Sequence, residues 1–228
     1  MRKLCNNGDF KILDKLYLFN NLWGEKSGSG TQCSWGETFD ENEKNISWNT
    51  NWDWYDNDLM IKSYASIVYG WHWGWKVKDL KLPTEINELK EINTNWEFYI
   101  REERKGNINI TYDIWLSNKK IDNENPDEEI MIWVYKNGKV TPIGKKKHDI
   151  EIMGIDWELW EGLHPEHNWP VFSFITKENM NIVEFDILFF MKEIKNLRSK
   201  YLLSVQSGIE VLSGKGNLET KKYSIMIK

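Results

Sequence analysis

Glu129, which opens Glu129-Ile130-Met131-Ile132-Trp133, and Glu210, which closes Gln206-Ser207-Gly208-Ile209-Glu210, are the residues of this chain best placed to do chemistry. Both sit where apolar residues alternate as in β-strands, and Asp113, in Tyr112-Asp113-Ile114-Trp115, sits on a third such stretch. Two carboxyl groups facing each other across a groove are equipped to cleave a glycosidic bond: one attacks the anomeric carbon and the other protonates the departing oxygen. Chemistry of this kind calls for no metal and no organic cofactor.

Strand alternation decides which side chains share that groove, because successive side chains point to opposite faces. Within residues 107–116, Ile108, Ile110, Tyr112, Ile114 and Leu116 point one way, and Asn107, Asn109, Thr111, Asp113 and Trp115 the other. The next strand sets Ile130, Ile132 and Val134 against Glu129, Met131 and Trp133. Near the C-terminus, Leu203, Val205 and Ile209 oppose Ser204, Gln206 and Glu210. Each strand thus has an aliphatic face to bury and a second face carrying one carboxylate. A single glutamate on a sheet is most simply solvated. Three acids beside Trp115, Met131 and Trp133 fit a sugar-binding cleft better than open solvent.

These segments, together with Asn20-Asn21-Leu22-Trp23-Gly24, Gln32-Cys33, Thr141-Pro142-Ile143-Gly144 and Gly208-Ile209-Glu210, resemble in order and spacing glycoside hydrolase family 12. That family comprises small endo-β-1,4-glucanases and xyloglucanases, and the likeness runs over nearly the whole chain. It implies an all-β fold, a jelly roll of two curved antiparallel sheets with a concave substrate cleft and one short helix, and a single catalytic domain over residues 1–228. By the same resemblance Glu129 is the nucleophile, Glu210 the acid/base and Asp113 the support of the nucleophile, within hydrogen-bonding reach of it. Sugar contacts fall on Asn21, Trp23, Asn109, Met131, Trp133, Pro142 and Gly144, and Cys5 pairs with Cys33. The implied activity is retaining hydrolysis of internal β-1,4-glucosidic bonds in cellulose or β-glucan. A xyloglucan-specific endoglucanase and a noncatalytic carbohydrate-binding jelly roll are the alternatives. The chain departs from the family pattern in several places: Gly8 stands where many members carry a tryptophan, Ala65 follows Tyr64 where bacterial members have proline, Trp71 and Lys76 flank His72-Trp73 where some members have a second cysteine pair, and His164 takes the place of an asparagine.

Composition is consistent with this reading. A chain of 228 residues suits one all-β sandwich, and 14 tryptophans exceed what one core requires, leaving some for a sugar-stacking surface. A formal charge of −5 argues against nucleic acid, whose binding needs a basic footprint. No apolar run approaches the roughly 18 residues of a membrane-spanning helix. Two distant cysteines and four scattered histidines offer no metal-ligand spacing. A Cys5–Cys33 bond would contribute roughly 3–4 kcal/mol on the chain-entropy account and indicates a secreted protein, although the basic start Met1 to Cys5 is followed by no apolar stretch that would mark a signal peptide. The expected partner is a polysaccharide, and the expected state is a monomer.

Turn signals recur at Gly28-Ser29-Gly30, Asp56-Asn57-Asp58, Asn123 to Pro126, Asn137-Gly138 and Ser213-Gly214-Lys215-Gly216. Val183, Ile187, Phe190, Met191 and Ile194 recur at helical spacing, which predicts a helix over 182–196 capped near Asn181. Trp48, Trp52 and Trp54 share one parity, as do Trp71, Trp73 and Trp75, so each set is expected on one strand face, where core packing serves at least as well as sugar stacking. The run Lys145-Lys146-Lys147-His148 reads as a solvated loop. Glu158, Glu161, Glu166 and His167, around Trp157 and Trp160, read as a solvated loop near the cleft.

Overall fold

The computed structural model describes residues 2–40, 45–55, 59–120 and 125–228. The turn signal at Asp56-Asn57-Asp58, and Asn123 and Glu124 of the Asn123 to Pro126 signal, lie outside these residues. Among the described residues the strands are β1 (Asp9–Leu13), β2 (Leu16–Asn21), β3 (Gly30–Asp40), β4 (Asn45–Trp54), β5 (Ser63–His72), β6 (Trp75–Lys76), β7 (Thr84–Glu85), β8 (Ile92–Ser117), β9 (Glu128–Asn137), β10 (Lys145–Ile152), β11 (Ile155–Leu163), β12 (Pro170–Thr176), β13 (Ile182–Asp186) and β14 (Tyr201–Ile227), with one α-helix, α1 (Ile187–Glu193).

The strands form two layers of a jelly roll. One runs β1-β2-β5-β14-β8-β9-β12-β11-β10, and the other is built from β3, β4, β14, β8 and β13. The long strands β8 and β14 belong to both. They pair with each other from Tyr201↔Ser117 to Ile227↔Ile92, bending from one layer into the other on the way. The bend falls where the register shifts between Val211 and Gly216. Glycines permit it: a Cβ on Gly106 would lie 2.0 Å from the Ser213 carbonyl, and Gly214 has φ +108. Bulges and glycines are the usual means of turning a strand through such a corner. Ser213-Gly214-Lys215-Gly216 is therefore a bend inside β14 and not the chain reversal that its composition suggests.

Period-two patterning explains the filling. Along β8 the even-numbered residues Ile92, Trp96, Phe98, Ile108, Ile110, Tyr112, Ile114 and Leu116 are all buried between the layers. Trp48, Trp52 and Trp54 of β4 join them there, so this set belongs to the core. The Trp71, Trp73, Trp75 set does not lie along one strand, although Trp71 and Trp73 stack on each other at 4.9 Å. Trp73 and Gly74 have φ of +41 and +85 and turn the chain between β5 and β6. Trp71 is buried while Trp73 is 47% exposed.

Four other expectations need correction. The sheet is not wholly antiparallel: the chain leaves β9, builds the β10–β11 hairpin and returns as β12, which pairs with β9 in parallel. The helix occupies only Ile187–Glu193, because residues 182–186 pair with β8 as β13, burying Val183 and Phe185 at strand spacing. Asp186, not Asn181, caps it, its carboxylate accepting from the Leu188 N–H. The basic run from Lys145 to His148 starts the edge strand β10, where exposed charge guards an open edge.

Cys5 and Cys33 are disulfide-bonded. Leu4 bridges Ser34 on β3, and β1 follows four residues after Cys5, so the bond ties the edges of the two layers together. The Cys5→Ser/Cys33→Ser variant is expected to lose about 3 kcal/mol of unfolding free energy, measured by guanidinium titration, with a transition that no longer responds to reductant.

Candidate active site

β14, β8, β9 and β12 lie side by side in the concave layer and supply the acidic groups and their partners. Their core-facing residues belong to the cluster between the layers. The opposite face carries a second packed cluster, including Trp71, Trp115, Met131, Trp133 and Trp169, which floors a cleft of about 530 Å³. Asp113, Glu129 and Glu210 all line this cleft, at 4%, 6% and 8% exposure.

Register places them. Glu210 stands opposite Asn109, Glu129 opposite Trp115, and Asp113 between Gln206 and Met131. Asn109 and Trp115 would be about 20 Å apart along a flat strand. Charge on Glu210 nevertheless acts on Glu129, and both act on Asp113. The twist and curvature of the concave layer draw these rows together.

Few donors reach the three carboxyl groups. The Asn109 Nδ2 amide donates to Glu210 Oε2 at 2.6 Å, and the Trp169 indole N–H donates to Glu129 Oε2 at 3.1 Å. The Thr111 hydroxyl lies 3.4 Å from Asp113 Oδ1. No hydrogen bond joins Asp113 to Glu129 among the described residues; the charge of Glu129 reaches Asp113 through space, and the hydrogen-bonding partner of Glu129 is Trp169.

Burial is the main electrostatic influence. It lifts Glu129, Glu210 and Asp113 above the ordinary carboxylate range, with mutual repulsion adding to the effect on Glu129 and Asp113. The indole of Trp169 and the amide of Asn109 pull the other way. Glu129 is raised at least as far as Glu210, so acidity alone does not sort the two into nucleophile and acid. Three interacting carboxyl groups release their protons as a set. Tyr64 is pushed up by burial first and then by all three charges. His72, bonded to the Gln206 amide at 3.1 Å, is pushed down to about 4 by burial and is neutral at neutral pH.

Of the residues that the sequence singles out for sugar contact, Asn21, Trp23, Asn109, Met131, Trp133 and Pro142 line the cleft. Trp23 stands at its rim, 55% exposed. Gly144 does not line it. Its φ is +92 and a Cβ there would lie 2.0 Å from the Glu161 carbonyl, so this glycine serves the close packing of the Thr141–Gly144 turn on β11. Leu203 also departs from expectation. The register shift between Leu202 and Ser204 sends Leu202 into the core and Leu203 into the cluster beneath the cleft. Glu158 and Glu161 lie on β11, whereas Glu166 and His167 do border the cleft.

Trp169, His164, Trp73 and Tyr64 also line the cleft, and strand parity does not single them out. Trp169 adjoins β12 and shares the parity of Val171 and Ile175, and the parallel pairing Val171↔Glu129 brings it to Glu129. A larger depression, of about 740 Å³, lies apart from these acids, around Asp14, Asn93 and Glu184. Its Asp186 is engaged by the N–H groups of Ile92 and Leu188, and no comparable group of buried acids converges there.

Glutamates that hold their protons more tightly when folded add stability at low pH and lose it as pH rises through the raised values. The Glu129→Gln/Glu210→Gln variant is therefore expected to melt above the wild type at pH 8. That gap should close toward pH 4, near the ordinary glutamate value, and calorimetry across this range checks both ends.

The family model of glycosyl hydrolase family 12 matches residues 14–228. Endoglucanase S of Pectobacterium parmentieri is 29% identical over 226 residues, covering 94% of this chain and 83% of that protein. A probable xyloglucan-specific endo-β-1,4-glucanase A of Aspergillus flavus is 29% identical over 236 residues, covering 98% and 90%. Among solved structures, a family 12 xyloglucanase from Bacillus licheniformis in complex with ligand superposes with a TM-score of 0.87 at 29% identity, over 100% of both chains. Endoglucanase 3 of Trichoderma harzianum shares the fold, with a TM-score of 0.87 at 22% identity over 100% of this chain and 97% of that one.

Proposed function

Because the chain belongs to glycosyl hydrolase family 12, we propose that it is a retaining endo-β-1,4-glucanase acting on internal bonds of cellulose or mixed-linkage β-glucan, with residues 1–228 working as one catalytic domain. The observation that carries this reading is the pair Glu129 and Glu210, buried on one cleft face in mutual electrostatic contact. An open cleft with Trp23 and Trp73 exposed on its walls and Trp133 in its floor suits a chain that enters sideways, with indoles to stack on pyranose faces.

Glu129 is assigned the attack on the anomeric carbon and Glu210 the protonation of the glycosidic oxygen. The bond from carbon to the leaving oxygen breaks as the bond to the Glu129 carboxylate forms. Glu210, now ionised, takes a proton from water, which displaces Glu129 and restores the original anomeric configuration. Asp113 is assigned the support of the nucleophile by its position; burial and the neighbouring charges favour its neutral form, which does not repel Glu129. In a cleft filled by sugar, expulsion of water strengthens each of these interactions. The disulfide supports a secreted location, and the substrate partner is a polysaccharide met by a monomer.

Xyloglucan is the second reading, favoured by the names of the Aspergillus flavus and Bacillus licheniformis relatives. Reducing ends should be released from carboxymethylcellulose and mixed-linkage β-glucan. Release from xyloglucan alone selects the second reading, and release from none of the three overturns both.

The two glutamates separate by role. Glu129→Ala is expected to abolish turnover, by at least about 10⁴-fold, with added azide giving a glycosyl azide of inverted configuration. Glu210→Ala is expected to retain glycosylation by an activated aryl β-cellobioside while a covalent adduct accumulates on Glu129, seen by mass spectrometry. An adduct on any other residue contradicts the assignment.

A further inference from the structure

Trp169 reaches the cleft from the segment between β11 and β12 and is 6% exposed. Its indole N–H donates to Glu129 Oε2 at 3.1 Å. Among the described residues Glu129 Oε1 has no hydrogen bond, so the two oxygens of this carboxylate are distinguished by a single donor.

The segment that carries the indole is closed on itself. The His164 N–H donates to the Trp169 carbonyl at 2.9 Å, and the Asn168 N–H to the His164 carbonyl at 2.9 Å. His164 Nδ1 accepts from the N–H groups of Glu166 and His167, both at 3.3 Å. The His167 ring stacks on the indole at 4.5 Å with planes 10° apart, His164 lies at 4.6 Å, and Trp115 meets it edge-on at 5.7 Å. A side chain packed between rings on a closed loop has little freedom to turn, and the direction of its N–H is set before substrate arrives.

We infer that Trp169 is the positioning residue of Glu129: its indole N–H holds Oε2, leaves Oε1 as the attacking oxygen, and favours the ionised carboxylate. The inference rests on the reading of Glu129 as nucleophile. Asp113, Glu210 and Tyr64 also face Glu129 electrostatically, and His164 and His167 lie behind the indole. Asp113 and Glu210, where charged, repel charge on Glu129. The indole is the group that draws charge to it.

Trp169→Phe keeps a ring in the stack and removes only the donor. With an aryl β-cellobioside, kcat should fall about tenfold or more, KM should stay within about twofold, and the acidic limb of kcat/KM against pH should move to higher pH. A variant with the wild-type limb and kcat overturns the inference, as does one that changes KM alone. A measurement on the wild-type protein covers the case in which the variant does not fold. The ¹⁵N-labelled Trp169 indole resonance should shift downfield as Glu129 ionises, and this titration should vanish in Glu129→Gln. An indole signal that is flat with pH, or that titrates unchanged in Glu129→Gln, also overturns it. The indole titration needs no turnover, so loss of the proposed activity and loss of this inference give different results.

Discussion

Continuity of β8 and β14 through both layers is the constraint on which the rest of this protein depends. Two strands that long must keep one face against the core on both sides of a corner, or an apolar stripe would emerge into water. β8 does so without changing parity: Ile92 and Leu116, at its two ends, face the same interior. β14 absorbs the mismatch, shifting register at several points. The corner is passable because Gly106 and Gly214 let the backbones approach where a Cβ would collide. Once these strands are bent, the half of each that lies in the concave layer presents its second face as the floor of a cleft.

That floor must hold carboxyl groups out of water, and burying them costs stability unless donors reach them. The structure offers one strong donor to Glu210, from Asn109 directly across the strand pair, and one to Glu129, from Trp169 on the next element. Neighbouring Glu128 points the other way and is met by the backbone N–H groups of Arg198 and Ser199. It fastens the start of β9 to the segment leading into β14. Adjacent glutamates thus divide the work, one anchoring the strand and one facing the cleft, because their side chains alternate across it. A site of partly satisfied acids is the less stable choice for a fold and the useful one for acid/base chemistry at near-neutral pH.

Aromatic content follows the same division. Trp48, Trp52, Trp54, Trp96 and Trp157 fill the space between the layers. A separate group underlies or rims the cleft, in contact from Trp71 through Trp73 and Trp115 to Trp169. The abundance of tryptophan therefore has two causes, a wide core between curved sheets and a wall able to stack on a flat ligand.

Which residues of β8, β9 and the Ser204 to Val211 part of β14 face the cleft follows from local pattern, since a period of two holds between the bulges and the family motifs lie on those stretches. Asn109, Asp113, Glu129, Met131, Trp133 and Glu210 were legible for that reason. Alternation was less dependable wherever the backbone departs from a regular strand. Leu203 changes face at a bulge, the Trp71 to Trp75 series is broken by a turn at positive φ, Ser213 to Gly216 bends without reversing, and β13 stands where the spacing is helical. That rows about 20 Å apart on a flat strand interact is set by the assembled fold, because sheet curvature is a property of all the strands together. The assembled fold alone decides that Trp169, distant from Glu129 in sequence, donates to it, because the parallel pairing of β12 with β9 is a long-range contact that no local pattern records.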